Sequence, residues 1–326
     1  MRILFFILLL LGVTLHGLAQ QVPLKKVNFL PSWVPQSQFA GYYMAREKGF
    51  YEKYGLDVNI ISGGYDKQVK DYLQEGKADF GTIYLTTAIM ERFANVRLVN
   101  IGQVFQQSGI VFIARKDSAI NSIEDFSGKK IAVWRTALEE MTIGFLNQNK
   151  IDAEVIRINE GVNILLKGAV DICVGMYYNE YNRMIYFGRD PEELSLFFLN
   201  DFGMDFPEDG IYCMEETYQK DPELCANFVR ASMEGWEYAV SHQEETIQVI
   251  RRIQIQENVS DNLVHLNWML NAVHQLIKPA GKKVKNGELL KSDYERAVEF
   301  LLDEKMIDVE TEYYNFYKGF VKDEQR

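Results

Sequence analysis

The chain has 326 residues, of which 47% are hydrophobic and 25% charged, an ordinary globular composition for about two domains. Its net charge of −11, with no basic patch apparent, argues against nucleic-acid binding, which needs clustered lysines and arginines to neutralise phosphates. The charge leaves room for a small anionic ligand, since such a ligand needs only a local positive site.

The N-terminus is typical of a secretory signal peptide. Arg2 precedes the apolar run Ile3–Val13, and the small residues Gly17 and Ala19 stand where signal peptidase reads them. The run is shorter than the ~20 apolar residues that a membrane span needs. We therefore predict a signal peptide over residues 1–19, cleavage after Ala19, no lipid anchor, and a soluble mature protein in the periplasm.

The first α/β unit begins with a predicted strand, Lys26–Leu30, followed by a proline-containing loop that carries Trp33. Aromatic residues at helical spacing predict a helix from about Ser37, and Gly55 is placed to end it in a left-handed conformation. Asp57–Ile61 is the next predicted strand. Ligands of open α/β sheets bind at the carboxyl ends of strands, which makes Trp33 a candidate ligand contact.

The chain continues with a predicted helix over about 66–75 and a strand that ends at Tyr84. Thr87 follows in a strand-to-helix turn, where hydroxyl and backbone N–H groups are available to a ligand. Two apolar runs come next, Leu98–Val104 and Ile110–Arg115. We interpret the second as a strand that leaves the first lobe.

A second α/β unit starts near Ser122, and its first strand ends at Trp134. Another predicted strand, Asp171–Met176, leads into Tyr177, Tyr178, Asn179 and Glu180. A return strand and a helical tail follow, predicted over Ile211–Met214, Pro222–Ser241, Glu244–Gln256, Asp261–Gln275, Asp293–Glu304 and Tyr313–Lys318.

Neither internal repeats nor a Pro/Gly/Ser-rich linker separates these units. This favours two lobes joined by two or three crossing strands over two independent domains. We predict that the first lobe comprises residues 25–115 and 206–326, and that the second comprises residues 116–205. The predicted fold class is α/β, with two lobes and a ligand cleft between them.

Cysteine and histidine provide no metal or catalytic motif. Cys173 lies in an apolar run and is expected to be a buried thiol, while a Cys213–Cys225 disulfide is one option in an exported protein. The three histidines of the mature chain are scattered among helical patterns and match no metal-binding spacing. We predict no metal, no cofactor and no catalytic residue.

Aromatic residues at strand ends, together with one carboxylate, suggest a planar ligand with an amine-bearing edge. Trp33, Tyr84, Trp134 and Tyr177 each follow a predicted strand, and an aromatic ligand can stack on such rings. A carboxylate such as Glu180 accepts two parallel hydrogen bonds, which suits an exocyclic amine beside a protonated ring nitrogen. Each residue also has an ordinary structural interpretation, as a core-edge aromatic or as a helix-start carboxylate.

The motif WVPQSQFAGYY at residues 33–43, with KGFY and YGLDV after it, resembles the opening of substrate-binding proteins of thiamine-pyrimidine ABC importers. Those proteins capture precursors such as formylaminopyrimidine and are related to thiamine pyrimidine synthases. The GFY and YGLDV portions are shared with sulfonate- and nitrate-binding proteins and imply only the fold, the two-lobed periplasmic-binding-protein fold (type II) with the ligand cleft between its lobes. Residues 176–180, MYYNE, are similar to the segment that contacts the pyrimidine in that family.

The resemblance implies a monomeric protein that binds a small aminopyrimidine and docks on a membrane permease with a cytoplasmic ATPase. The ligand-binding residues it implies, together with the strand-end reasoning, are Trp33, Gln38, Tyr84, Thr87, Trp134, Tyr177, Asn179 and Glu180.

Three alternatives remain open at this stage. The related synthases use bound pyridoxal phosphate, a lysine and a histidine four residues later; the corresponding positions here hold Ile83 and Thr87, which cannot do that chemistry. A sulfonate or nitrate binder would use Arg135 and the turn at Thr86 and Thr87 for its anion. A third alternative keeps the ligand but delivers it to a sensor instead of an importer.

Overall fold

A computed structural model describes residues 23–159, 161–260, 262–309 and 312–319. The predicted signal peptide lies outside the described residues. Within them, no helix is long and apolar enough to cross a membrane.

The first lobe is built on a five-stranded sheet with the order β2-β1-β3-β10-β4. Strand β1 runs parallel to β2 and β3, whereas β10 is antiparallel to β3 and β4. The strands are Lys25–Leu30 (β1), Leu56–Ile60 (β2), Phe80–Tyr84 (β3), Leu98–Gln103 (β4) and Asp209–Met214 (β10).

The second lobe is built on a sheet of the same size with the order β7-β6-β8-β5-β9. Its parallel strands are β6, β7 and β8, and β5 lies antiparallel between β8 and β9. The strands are Ile110–Arg115 (β5), Lys130–Trp134 (β6), Glu154–Ile158 (β7), Ile172–Met176 (β8) and Leu194–Phe198 (β9). Two mixed sheets of this kind confirm the predicted two-lobed α/β fold.

Strand β5 lies in the second sheet, although the sequence suggested that it belongs to the first lobe. Ala114 pairs with Ile172 on one side and with Ser195 on the other. The chain has therefore already crossed between the lobes before Ile110, and the predicted boundary after Arg115 is wrong. The other predicted lobe boundaries stay a prediction.

Helices cover the sheets, and most lie where apolar periodicity predicts them. A 3-10 turn, Ser37–Phe39, starts the first one. The single helix predicted from Ser37 to Gly55 is divided in two at Gly49, whose φ is 70°, and Gly55 has the expected left-handed φ of 79°. The α-helices are Ala40–Glu47 (α1), Phe50–Lys53 (α2), Val69–Gln74 (α3), Leu85–Phe93 (α4), Ala137–Gln148 (α5), Asn163–Leu166 (α6), Asn182–Tyr186 (α7), Glu215–Lys220 (α8), Pro222–Ser241 (α9), Gln243–Gln256 (α10), Leu263–Ile277 (α11), Lys291–Asp303 (α12) and Tyr313–Phe316 (α13).

Two segments, residues 104–109 and 199–208, connect the sheets and meet at a buried carboxylate. Glu208 Oε1 accepts hydrogen bonds from Ser108 Oγ at 2.9 Å and from the Gly109 backbone N–H at 2.6 Å. Asp205 Oδ1 accepts a third bond from the Ser108 N–H at 3.0 Å. These bonds tie the two crossings together, so rotation of one lobe relative to the other must bend both segments at once.

All three cysteines are buried and carry free thiols. Cys213 and Cys225 are therefore not bridged in this structure.

Helices α1 and α9 cross closely because both carry glycine at the contact. A Cβ atom at Gly235 would lie 2.0 Å from the Gly41 carbonyl oxygen and 2.8 Å from the Ala45 nitrogen. A Cβ atom at Gly41 would lie within 2.4 Å of the buried Trp236 ring. The backbone of α1 fills the space beside Gly235, and the Trp236 ring fills the space beside Gly41, so neither position has room for a side chain.

We expect Gly235→Ala to destabilise the protein by about 1–3 kcal/mol, the usual cost of overpacking a core. The measurement is the urea unfolding midpoint, with Gln248→Ala, an exposed change on the neighbouring helix α10, as the control. A midpoint equal to that of the control would contradict the tight helix crossing.

Asp209 should make the stability depend on pH. Its Oδ2 accepts a hydrogen bond from Gln38 Nε2 at 2.7 Å, and burial raises the pKa of this carboxyl to about 7. Because the pKa in the unfolded chain is about 3.9, the folded state holds a proton that the unfolded state releases. The contribution of this group is therefore fully present below pH ~4 and is lost as the pH rises through about 7.

Asp209→Asn removes this titration, so we expect the free energy of unfolding to fall less between pH 5 and pH 8 in the variant than in the wild type. Urea unfolding at the two pH values measures the difference. Parallel losses in both proteins would show that Asp209 does not titrate as inferred.

Candidate functional site

The cleft lies between the lobes, where the carboxyl ends of parallel strands from both sheets face one another. Strands β1 and β3 contribute the loop at Trp33 and the start of α4, while β6 and β8 contribute Trp134 and the segment after Met176. The cavity measures about 430 Å³, within the usual range of about 300–1,000 Å³ for small-molecule sites. The predicted residues that line it are Trp33, Gln38, Tyr84, Thr87, Trp134, Asn179 and Glu180.

Three aromatic rings meet at the cleft and span both lobes. The Trp33 and Trp134 ring centroids are 6.1 Å apart in an edge-to-face arrangement. Tyr65 of the first lobe contacts both, at 4.6 Å from Trp33 and at 5.9 Å from Trp134, onto which it stacks. Its hydroxyl donates a hydrogen bond to the Asn159 carbonyl of the second lobe. These rings form an apolar wall suited to a planar ligand.

Sequence reasoning missed Tyr65, although the strand-end rule that selected Trp33 also applies to it. It follows β2, which is parallel to β1, so its loop opens at the same edge of the sheet. Gly63 lets this loop press against the Trp33 loop, since a Cβ there would lie 2.3 Å from the Pro31 carbonyl oxygen and 2.5 Å from that of Trp33. The Gly-Gly-Tyr turn was the available signal.

Some polar side-chain atoms of residues that line the cavity have no hydrogen-bond partner among the described residues, and others are engaged. Trp134 Nε1 and Thr87 Oγ1 are buried and have no hydrogen-bond partner within the described residues. Gln38, in contrast, is engaged within the protein: its Nε2 donates to Asp209, and its Oε1 accepts from Gln36 Nε2 at 2.6 Å. Its place in the cleft is therefore that of a fixed support.

Tyrosines from both lobes form the floor. Tyr84 of β3 donates a hydrogen bond from its hydroxyl to Met176 Sδ at 3.7 Å. Tyr178 lies beside it and is fully buried, and burial holds the pKa of both phenols well above the ordinary value. Both hydroxyls therefore stay protonated at neutral pH.

Glu180 is the carboxylate at the end of β8. Its side chain is 4% exposed, and its Oε2 accepts a hydrogen bond from the Met176 backbone N–H at 2.7 Å. Asn179 Nδ2 donates to Oε1 at 2.8 Å. The side chain lies over Gly175, where a Cβ would lie 2.4 Å from Glu180 Cβ. Burial raises the pKa of this carboxyl, and the bond from Met176 opposes that rise.

Tyr177 does not line the cleft. Residues Tyr177–Tyr181 form a short π-helix. It directs Tyr178 and Glu180 towards the cleft and Tyr177 and Tyr181 away from it. The Tyr177 ring stacks on Tyr181 at 5.0 Å and packs against Phe198 and Trp268 at 5.3 Å each. Tyr178 occupies the cleft position that the sequence assigned to Tyr177.

Charged groups of both signs line the rest of the cavity. Lys70 Nζ is paired with Glu91 Oε1 at 2.7 Å, and Lys67 Nζ donates to the Ser62 carbonyl oxygen at 2.6 Å. Glu140 faces this end of the cleft, and burial, with help from the negative charge of Glu91, raises the pKa of its carboxyl to about 7. Both lysines of the cavity lining thus have partners within the protein, whereas the Glu140 and Glu180 carboxyls have no lysine partner among the described residues.

Comparison with known proteins finds relatives that are named as binding proteins. The chain is 23% identical over 269 residues to the formylaminopyrimidine-binding protein of Halalkalibacterium halodurans, covering 78% of this chain and 79% of that protein. It is 23% identical over 240 residues to the riboflavin-binding protein RibY of Chloroflexus aurantiacus, covering 70% and 66%.

A relative of another kind carries an enzyme name. The 4-amino-5-hydroxymethyl-2-methylpyrimidine phosphate synthase of Legionella pneumophila is 20% identical over 229 residues, covering 69% of this chain and 72% of that protein. Among solved structures, the periplasmic aliphatic sulphonate-binding protein SsuA of Escherichia coli shares the fold, with a TM-score of 0.67, 13% identity and coverage of 87% and 94%.

The family signature is found in the segment that holds most of the cleft. The sequence pattern described as "NMT1/THI5 like" matches residues 36–246, which include β3, α4, β6 and β8. The chain belongs to the NMT1/THI5-like family.

Proposed function

We propose that this protein is an exported solute-binding protein that captures a thiamine pyrimidine precursor, an aminopyrimidine of the formylaminopyrimidine type, for uptake by an ABC importer. The observation that carries the proposal is the Glu180 carboxylate, held beside a wall of aromatic rings in a cleft between two lobes. The name of the Halalkalibacterium relative agrees with this ligand class.

Aromatic rings contact the faces of the ligand, and polar side chains bind its edge. Trp33 and Tyr65 from the first lobe and Trp134 from the second contact the faces of the pyrimidine, and Glu180 and Asn179 bind its amine-bearing edge. Thr87 and Trp134 supply a hydroxyl and an indole N–H for its acceptor atoms. Since both lobes contribute, the ligand favours the closed arrangement, which a permease at the membrane then recognises in the periplasm.

Synthesis of the pyrimidine is less well supported than binding. The positions aligned with the synthase lysine and histidine hold Ile83 and Thr87, and the described residues that line the cleft include no histidine. The two cleft lysines are engaged, Lys70 with Glu91 and Lys67 with a carbonyl oxygen. Neither is presented as a free amine for a Schiff base.

A sulfonate is also disfavoured. Glu91, Glu140 and Glu180 line the same cavity and would repel an anion. Of the cations that line it, Lys70 is already paired with Glu91, and Arg135 is exposed to solvent. A flavin is the second candidate, because about 430 Å³ exceeds what a single pyrimidine ring requires and the aromatic wall suits a larger ring system.

The direct test is calorimetric titration of the mature protein with formylaminopyrimidine, riboflavin, taurine and pyridoxal phosphate. The proposal predicts tight and selective binding of the pyrimidine. Preference for riboflavin would replace the ligand, binding of taurine alone would remove the aromatic–carboxylate site, and slow pyrimidine formation from pyridoxal phosphate would restore the enzyme interpretation.

Glu180→Gln should weaken aminopyrimidine binding by about 1.5–3 kcal/mol, the usual range for a hydrogen bond to a charged group. The change keeps the size of the side chain but removes its charge. Calorimetry compares it with Glu192→Gln, an exposed carboxylate of the same lobe, for which no change is expected. Unchanged affinity in Glu180→Gln would remove this residue from the site.

Trp33→Ala should also weaken binding, because it removes a stacking surface worth about 0.5–1.5 kcal/mol beyond its buried area. Trp33→Phe should recover part of the affinity. Thermal unfolding of both variants is the control, and we expect only a small change because Trp33 is partly exposed. A collapse of folding in Trp33→Ala would assign the ring to the core.

A further inference from the structure

Helix α11, which follows the matched family segment in the chain, reaches the back of the ligand site through His265. The His265 ring lies between two asparagines of the second lobe: its Nε2 is 3.1 Å from Asn179 Oδ1, and its Nδ1 is 2.8 Å from Asn182 Nδ2. Trp268 of the same helix donates from Nε1 to the Tyr177 carbonyl oxygen at 3.4 Å. The helix therefore holds both the backbone and the side chains of the Tyr177–Tyr181 segment.

The hydrogen bonds of His265 are consistent with one tautomer. Asn182 Nδ2 is a donor, so Nδ1 must accept and carries no proton. Nε2 then carries the proton and donates to Asn179 Oδ1. Burial, assisted by the positive charge of Arg183, lowers the pKa of His265 to about 4. The ring is therefore neutral at physiological pH, as this arrangement requires.

The hydrogen bond from the protonated Nε2 favours one orientation of the Asn179 amide. With Oδ1 held by His265, Nδ2 faces Glu180 and donates to Oε1 at 2.8 Å. A flipped amide would place its NH₂ against the Nε2–H of His265 and its oxygen against Glu180 Oε1. Both contacts would then be repulsive. The tautomer of His265 thus opposes the flip, and Glu180 remains the acceptor group that this pair presents.

We propose that His265 is a positioning residue for ligand recognition, which fixes the Asn179 amide against Glu180 and thereby leaves the Glu180 carboxyl as the acceptor for the amine-bearing edge of the ligand. The inference rests on the proposed function, because it concerns the selectivity of the same cleft. It assigns a role to a residue that lies outside the cavity and acts only through Asn179.

The consequence is a preference for an amino over an oxo substituent on the pyrimidine. An amine donates to the fixed acceptor, whereas a carbonyl oxygen in the same place would face it and be repelled. When His265 no longer holds Asn179 Oδ1, the amide can rotate away from Glu180, its NH₂ becomes available to a carbonyl ligand, and the preference should fall.

The test is calorimetry on the mature chain with two probes, 4-amino-5-hydroxymethyl-2-methylpyrimidine and its 4-oxo counterpart. His265→Leu should weaken binding of the amino compound about tenfold, as expected for loss of a hydrogen bond of about average strength, and should weaken binding of the oxo compound less. The ratio of the two affinities therefore falls. His265→Gln, which keeps one donor and one acceptor, should retain most of the ratio.

A double-mutant cycle separates positioning from general destabilisation. In an Asn179→Ala background, His265→Leu should change the ratio no further, because its route to the ligand is gone. His274→Leu, a change on the same helix away from the cleft, is the control and should leave the ratio unchanged. If His265→Leu does not fold, Asn182→Ala is the second variant. It removes the donor that keeps His265 Nδ1 unprotonated, so it should lower the ratio of the two affinities as well.

Two results would contradict different claims. Absence of aminopyrimidine binding by the wild type would overturn the proposed function. Normal wild-type binding together with an unchanged ratio in His265→Leu or Asn182→Ala, or with equal losses for both probes, would overturn the role of His265 alone.

Discussion

The cleft depends on the way one buried carboxylate is held. Glu180 can lie at the end of β8 because Gly175 leaves space for it and because the Met176 N–H and Asn179 donate to its two oxygens. An ionised group at this depth would otherwise be costly, and the raised pKa shows that burial still outweighs the bonds it receives. A ligand donor that completes its hydrogen bonding therefore contributes more here than at an exposed site.

The two sheets present this carboxylate to an aromatic wall that spans both lobes. Parallel strands β1, β2 and β3 direct Trp33, Tyr65 and Tyr84 towards the cleft, and β6 and β8 direct Trp134 and Glu180 towards it from the other side. Two segments connect the sheets within the described residues, and Glu208 ties them together, while helix α11 also contacts the second lobe through His265 and Trp268. The cleft therefore combines side chains that neither lobe provides alone.

Much of this arrangement could be predicted from sequence, because strand ends are marked by local patterns. The prolines around Trp33, the apolar run before Trp134 and the apolar run before Glu180 each predicted a strand followed by a loop. The two-sheet fold followed from the alternation of such units. Tyr65 could have been found by the same rule, had its Gly-Gly turn been treated as a strand end.

Other features depend on contacts that local patterns do not record. Whether Tyr177 or Tyr178 faces the cleft is decided by the π-helical turn, which periodicity cannot distinguish from an ordinary helix start. The apolar run Ile110–Arg115 predicts a strand but not its sheet, since its partners lie far along the chain. His265 had no motif around it, and its significance comes only from its distance to Asn179.

The measurement that tests the account most directly is the affinity of the wild-type protein for an aminopyrimidine and for the same ring with a carbonyl oxygen in place of the amine. Glu180, held as an acceptor by the Met176 N–H and Asn179, predicts that the amino compound binds tightly and that the oxo compound binds at least tenfold more weakly, a difference of about 1.4 kcal/mol. Equal affinities for the two compounds, or tighter binding of the oxo compound, would contradict the central place given to the carboxylate.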